Sequence, residues 1–157
     1  MKDSRNLSVE EWVKLYKNGI SVPMTTVLYG TSMEPLIRFK KDKVTIIPVS
    51  DIQKGDIVLF EREDGAYVVH RVYSIQDNMV QTWGDNCKNK DKPMDISKVL
   101  GQVVCVEKNG KKIDLNTDAQ REYGITWMHG CFKRDIHFLK QKIKYGVLYR
   151  IRDIFKR

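Results

Sequence analysis

The chain has 157 residues, which is enough for one ordinary domain and too few for two of comfortable size. Hydrophobic residues make up 41% and charged residues 31%, so the composition predicts a packed core and excludes wholesale disorder. The longest uncharged stretch, 18–33, is too short and too rich in Gly, Pro and Thr for a membrane span. No secretion signal is recognised, and three cysteines without metal-ligand spacing indicate a reducing compartment. We therefore expect a cytoplasmic protein without disulfides or zinc.

The positive charge is concentrated at the C-terminal end of the chain. The formal net charge is +8, and the segment 131–157 contains nine Lys and Arg against two Asp. The preceding 130 residues are therefore close to neutral. A nucleic-acid-binding domain would carry basic residues over its whole fold, so this distribution disfavours a nucleic-acid partner, which charge alone would support.

The N-terminal region predicts one short helix over 8–19. Ser8 and Glu11 have the spacing of a capping box, and Gly19 provides a stop. The apolar residues that recur at helical spacing between them are Val9, Trp12, Val13 and Tyr16.

The region 21–115 has the texture of an all-β body. Short β-branched runs cover 44–47, 56–60, 66–69, 79–83 and 101–106. Turn-forming residues separate these runs, among them Gly55, Gly65 and Gly110. Many short strands without intervening helices predict a mainly-β, barrel-like or sandwich-like body.

The segment 119–157 predicts a basic helical tail, so that the whole chain, 1–157, forms a single domain. Its apolar residues recur at spacings of three and four, and Lys and Arg occupy the other faces. The tail either covers one side of the β-body or lies on an anionic membrane as a peripheral helix. The apolar stripe consists of Phe132, Ile136, Leu139, Ile143, Val147, Ile151 and Ile154.

Three short segments carry residue types that suit hydrolytic chemistry. Ser32 follows Gly30 on a turn, where a nucleophile can stand clear of the backbone and turn N–H groups can face an oxyanion. His70 lies within an apolar strand, and Asp85 and Asp91 lie in a loop rich in Asp and Asn. Taken singly, each has an ordinary explanation: a loop serine, a hydrogen-bonded core histidine and a turn that bonds its own backbone.

In this order the segments resemble the serine peptidases of the signal peptidase I/LexA-like superfamily. Ser-Met-Glu-Pro at 32–35 is similar to the nucleophile box, and Lys-Gly-Asp-Ile-Val at 54–58 to the strand start that follows it. His-Arg-Val at 70–72 resembles the box of the archaeal and endoplasmic-reticulum branch, in which His replaces the bacterial Lys. Gly-Asp-Asn at 84–86, followed by Asp91, resembles the last box. The resemblance covers about half of the chain.

The resemblance implies a serine endopeptidase in which Ser32 is the nucleophile, His70 the base and Asp91 the acid. Asp85 would support the site, and the Ser32 N–H, aided by the Thr31 hydroxyl, would meet the oxyanion. Hydrolysis through an acyl-enzyme would require neither metal nor cofactor. The substrate would be a peptide or preprotein bound as an extended strand.

Two features of the chain differ from the signal peptidases. Thr31 stands before the nucleophile, where they usually have Gly, and Gly30 comes one place earlier. No membrane anchor is recognised. We therefore expect an anchorless member that cleaves a leader or precursor peptide in the cytoplasm, and that is peripheral at the membrane if the tail binds lipid. A catalytically inactive peptide-binding module on the same fold is the alternative.

Overall fold

The computed structural model describes residues 5–130, 135–140 and 143. Two α-helices, α1 (Val9–Lys17) and α2 (Asp118–Met128), flank a strand-rich body, and residues 135–140 are also helical. The strands are β1 (Arg5–Asn6), β2 (Met24–Val27), β3 (Lys43–Pro48), β4 (Ile57–Glu61), β5 (Tyr67–Gln76), β6 (Met79–Trp83), β7 (Met94–Asp95), β8 (Val99–Lys108) and β9 (Lys111–Asp114). A short 3₁₀ helix, Ile96–Lys98, leads into β8.

This architecture confirms the mainly-β prediction and the short N-terminal helix. The predicted tail is described at α2, at 135–140 and at Ile143. Four positions of its apolar stripe lie outside the described residues: Phe132, Val147, Ile151 and Ile154. No helix among the described residues is long and apolar enough to cross a membrane.

The strands form one sheet in the order β1-β2-β3-β8-β4-β5-β6-β7, and β9 pairs with β8. All neighbours are antiparallel except the short parallel pair of β1 and β2. The ten-residue strand β8 pairs with both β3 and β4. Its register with β3 shifts between Thr45 and Ile46 of β3, and its register with β4 shifts between Leu59 and Phe60 of β4. Such bulges increase bend and twist, so the sheet curls around its core.

Strand β4 is buried on both of its faces. Ile57 and Leu59 belong to the larger core cluster, whereas Val58 and Phe60 belong to a second one. Successive strand residues point to opposite faces, so a four-residue apolar run is what a strand covered on both sides requires. The next strand, β5, pairs with β4 from Tyr67 to Arg71, so the strand that carries His70 lies beside one that is covered on both faces.

Helix α1 is fixed at its start and along its buried face. The N–H of Glu11 donates to Ser8 Oγ (3.2 Å), and the N–H of Ser8 donates to Glu11 Oε2 (2.9 Å), which completes the predicted capping box. Trp12 and Val13 are both 1% exposed, and the Trp12 indole N–H donates to the Val22 carbonyl (2.7 Å). The helix is therefore anchored against the larger core cluster.

Helix α2 packs against β5 and the adjoining loops. Trp127 is 4% exposed, and its indole N–H donates to the Asp85 carbonyl (2.9 Å). Gly124 lies directly against the Arg71 guanidinium, where an added Cβ would overlap the Arg71 side chain. Arg121 forms a second contact through its salt bridge to the buried carboxylate of Asp56 (2.6 Å). The absence of a side chain at Gly124 therefore lets the helix approach a buried cation.

Gly124→Ala tests this close approach. In an exposed helix the substitution would gain about 1 kcal/mol of helix stability. Here we expect the free energy of unfolding to fall by about 1–3 kcal/mol, because the methyl group displaces Arg71. Urea denaturation measures the change, with Glu122→Ala on an exposed face of the same helix as the control. A stabilised Gly124→Ala protein would contradict this packing.

Candidate active site

Ser32 lies on a tight turn that follows β2. The N–H of Glu34 donates to the Thr31 carbonyl (3.1 Å), which makes Ser32 and Met33 the central residues of the turn. Met33 is 2% exposed in the larger core cluster and anchors the turn, while the half-buried Ser32 lines a cleft. Gly30 has φ +126°, a conformation that residues with side chains rarely adopt, so glycine is required where the chain enters this turn.

His70 and Asp91 form a short hydrogen-bonded pair. His70 Nδ1 lies 2.6 Å from Asp91 Oδ2, and His70 is only 7% exposed. The Thr82 hydroxyl donates to the same carboxylate oxygen (2.6 Å), and the N–H of Asp91 donates to the Thr82 carbonyl (2.9 Å). The Gln81 side chain donates to the Asp91 carbonyl (2.9 Å). Strand β6 therefore holds the end of the loop 84–91 against the imidazole.

This pairing changes the proton affinity of both groups. Burial opposes the imidazolium, but the hydrogen bond to Asp91 and the neighbouring Cys87 outweigh it and raise the pKa of His70 from 6.5 to about 9. Burial would raise the pKa of the Asp91 carboxyl, yet the hydrogen bonds from His70 and Thr82 lower it below its ordinary value. At neutral pH the pair is therefore an imidazolium beside a carboxylate.

The second ring nitrogen of His70 lies next to the Ser32 turn and a thiol. His70 Nε2 is 4.0 Å from Cys87 Sγ. A Cβ added to Gly84 would lie 2.6 Å from Cys87 Sγ, 2.9 Å from His70 Nε2 and 2.9 Å from the Ser32 carbonyl oxygen, so these groups converge around a position without a side chain. Among the described residues no hydrogen bond joins the Ser32 hydroxyl to His70. Catalytic hydrogen bonds of substrate-free sites commonly shorten only when substrate binds.

Asp85 forms a buried salt bridge with Arg71, whereas the hydrogen-bonded carboxylate partner of His70 is Asp91. Both carboxylate oxygens of Asp85 accept from the guanidinium, each at 2.9 Å, and the two side chains are at most 3% exposed. Arg71 also donates to the Gly55 carbonyl (2.8 Å), and Trp127 donates to the Asp85 carbonyl. Asp85 therefore ties β5, the turn before β4 and α2 together, which is a supporting position beside the site.

The neighbouring residues His70 and Arg71 serve opposite faces of β5. Successive side chains of a strand point to opposite faces of the sheet, so His70 and Arg71 reach different side-chain partners. His70 meets Asp91, whereas Arg71 meets Asp85 and α2. The His-Arg dipeptide thus places a titratable group on one face and a permanently charged group on the other.

A cleft of about 440 Å³ passes Ser32 and His70. Strand β1 pairs with β2 only at Met24 and Thr25, so in the described structure the outer edge of β2 next to the Ser32 turn carries no paired strand. The lining of the cleft combines apolar side chains, including Val27, Leu28, Met33, Ile37, Leu59 and Val69, with the charged side chains of Glu10 and Arg62. Its shape and lining suit an extended peptide.

Three residues that contact the site were not found from the sequence. Thr82 is fully buried, and it lies two residues after the buried Val80 on the same face of β6. A polar residue at the strand spacing of a core position could have indicated a buried hydrogen-bond donor. Cys87 lies in the Asp- and Asn-rich loop, but nothing in the sequence shows that its thiol approaches His70. Trp127 contacts the site through a helix distant in sequence. Within the ranges that the structure describes, no cluster of three or more His, Cys, Asp or Glu side chains could hold a metal ion.

No protein-family model matches the chain, and no curated protein matches it. The resemblance to signal peptidases therefore stays a prediction from the sequence.

Asp91→Asn tests the origin of the raised His70 pKa. We expect the pKa of His70 to fall from about 9 towards 6.5, because a neutral amide no longer favours the imidazolium. Wild-type pairing stabilises the fold fully from pH 6.5 down to the acid range in which Asp91 becomes protonated. This stabilisation is lost as the pH rises through about 9, so the stability difference between the two proteins should shrink between pH 6.5 and 9. NMR titration of His70 measures the pKa, with the exposed Asp95→Asn as the control. An unchanged pKa in Asp91→Asn would refute the pairing.

Asp85→Asn tests the structural role of the other carboxylate. It leaves the buried Arg71 guanidinium without its counter-charge, so the free energy of unfolding should fall by about 3–5 kcal/mol. The exposed pair of Arg62 and Asp64 provides the matched control, and Asp64→Asn should change stability little. Chemical denaturation measures the free energy of unfolding of both variants. Equal losses of stability in Asp85→Asn and Asp64→Asn would contradict the structural role of the buried pair.

Proposed function

We propose that the chain is a serine endopeptidase in which Ser32 is the nucleophile, His70 the base and Asp91 the orienting acid. The observation that carries this proposal is the 2.6 Å bond between His70 and Asp91, with the opposite ring nitrogen next to the Ser32 turn. A carboxylate on Nδ1 fixes the imidazole so that Nε2 faces the nucleophile. The cleft along these residues offers a place for an extended peptide.

The residues suit acyl transfer in two steps. Neutral His70 accepts the Ser32 proton at Nε2 while Ser32 Oγ attacks the substrate carbonyl, and Asp91 stabilises the imidazolium. The imidazolium then protonates the leaving amine, and water hydrolyses the acyl-enzyme by the reverse proton path. Only neutral His70 can act as the base, so a pKa of about 9 makes the reaction faster at alkaline pH.

The order of the motifs supports a place among the signal peptidase-like enzymes, in the branch that uses His as the base. Ser32, His70 and Asp91 occur in the order of that family's boxes. The corresponding substrate is a leader or precursor peptide. Contact of the basic tail with an anionic membrane remains a prediction, because most of 131–157 lies outside the described residues.

A peptide-binding module without catalysis is the second candidate. His70 Nε2 lies 4.0 Å from the Cys87 thiol, and within the described part of the chain no hydrogen bond joins it to the Ser32 hydroxyl. If this arrangement persisted with peptide bound, the base could not activate the serine. The cleft would then hold a peptide and leave it intact.

Labelling with a fluorophosphonate separates the two candidates. This reagent phosphonylates a serine that a base activates, so the wild-type protein should carry one adduct on Ser32, found by mass spectrometry. Ser32→Ala should abolish labelling, and His70→Ala should slow it by about 10³-fold or more, because the residues act as one unit. Ser50→Ala, in an exposed loop, is the control and should label at the wild-type rate.

Circular dichroism checks that each variant keeps the fold. An unlabelled wild-type protein would contradict the peptidase proposal, and peptide binding by that same protein would favour the non-catalytic module.

A further inference from the structure

Asn86, in the loop 84–91, holds the backbone carbonyl groups of both Thr31 and Ser32. The N–H of Asn86 donates to the Ser32 carbonyl (2.7 Å), and its side-chain Nδ2 donates to the Thr31 carbonyl (3.0 Å). The Glu34 N–H also donates to the Thr31 carbonyl (3.1 Å). Asn86 therefore fixes two consecutive peptide planes, Thr31–Ser32 and Ser32–Met33.

Fixing these carbonyls also fixes the N–H groups of the same peptides. In a trans peptide the C=O and N–H point in opposite directions, so the N–H groups of Ser32 and Met33 point away from the acceptors that Asn86 holds. Neither N–H donates to an acceptor within the described part of the chain. Two adjacent free donors on the turn of a nucleophile have the form of an oxyanion hole.

The Asn86 side chain makes this contact at a cost. Its Oδ1 is buried, and among the described residues it has no hydrogen-bond partner. Buried acceptors without partners are rare in folded proteins, and each requires an explanation. The explanation here is that Nδ2 must face the Thr31 carbonyl, since the reverse orientation would place two acceptors against each other.

We propose that Asn86 is a positioning residue that aims the N–H groups of Ser32 and Met33 at the oxyanion of the substrate. The inference rests on the proposed peptidase function and adds a second donor, Met33, to the one that the sequence suggests. Asn86 does not touch the substrate. It acts through the two peptide planes that it holds.

Two substitutions remove the side-chain contact with the Thr31 carbonyl in different ways, and both keep the backbone N–H that donates to the Ser32 carbonyl. Asn86→Ala deletes the donor, and Asn86→Asp keeps the shape but presents a carboxylate that cannot donate to the Thr31 carbonyl. Asn89→Ala, at an exposed position of the same loop, is the matched control. Two rate constants are measured on each protein. One is labelling of Ser32 by a fluorophosphonate, which uses the oxyanion donors, and the other is alkylation of Cys87 by iodoacetamide, which does not.

Labelling of Ser32 should fall about 10-fold to 100-fold in both Asn86 variants, less than the loss of a complete oxyanion donor. Alkylation of Cys87, the next residue in the chain, should stay close to the wild-type rate, and Asn89→Ala should change neither rate.

Unchanged labelling in the Asn86 variants overturns this inference and leaves the peptidase proposal intact. Parallel changes in both rates, or loss of the native fold in both variants, show a merely structural role and also overturn it. A wild-type protein that is not labelled at Ser32 overturns the proposed function, and the oxyanion role with it.

Discussion

The buried salt bridge between Arg71 and Asp85 is the interaction on which the arrangement of the site depends. Arg71 follows His70 on β5, and Asp85 begins the loop that ends at Asp91. The same guanidinium packs against Gly124 of α2. Because both charges are removed from water, each is tolerated only with its partner in place. One ion pair thus connects the strand of His70, the loop of Asp91 and helix α2.

The two aspartates of the loop 84–91 form ion pairs that respond differently to pH, because one partner is a guanidinium and the other an imidazole. Asp85 meets a guanidinium, which keeps its charge at any ordinary pH and suits a permanent structural contact. Asp91 meets an imidazole, whose charge changes within the accessible pH range, as the proposed proton transfer requires. The two aspartates, six positions apart, are thereby separated into a permanent ion pair and a titratable one. The separation depends on β5, because its consecutive residues face opposite sides of the sheet.

Much of the fold could be predicted from local sequence, whereas the site could be predicted only in part. The capping box at Ser8 and the β-branched runs depend on neighbouring residues, and the structure confirms both. The choice between Asp85 and Asp91 could not follow from composition, because the loop between them is long enough to bring either to His70. It is decided by Thr82, whose contact with Asp91 joins β6 to the loop end. The contacts of Trp127 and Cys87 require the folded chain, since distant segments meet there.

Cleavage of a peptide mixture tests the central claim most directly. Purified wild-type protein and Ser32→Ala are incubated separately with a digest of denatured proteins at pH 8 to 9, and new N-termini are identified by mass spectrometry. The proposed chemistry predicts a set of cleavages that the wild type produces and Ser32→Ala does not. Identical sets from the two proteins, or no cleavage by either, would contradict the assignment of Ser32, His70 and Asp91 as a catalytic triad.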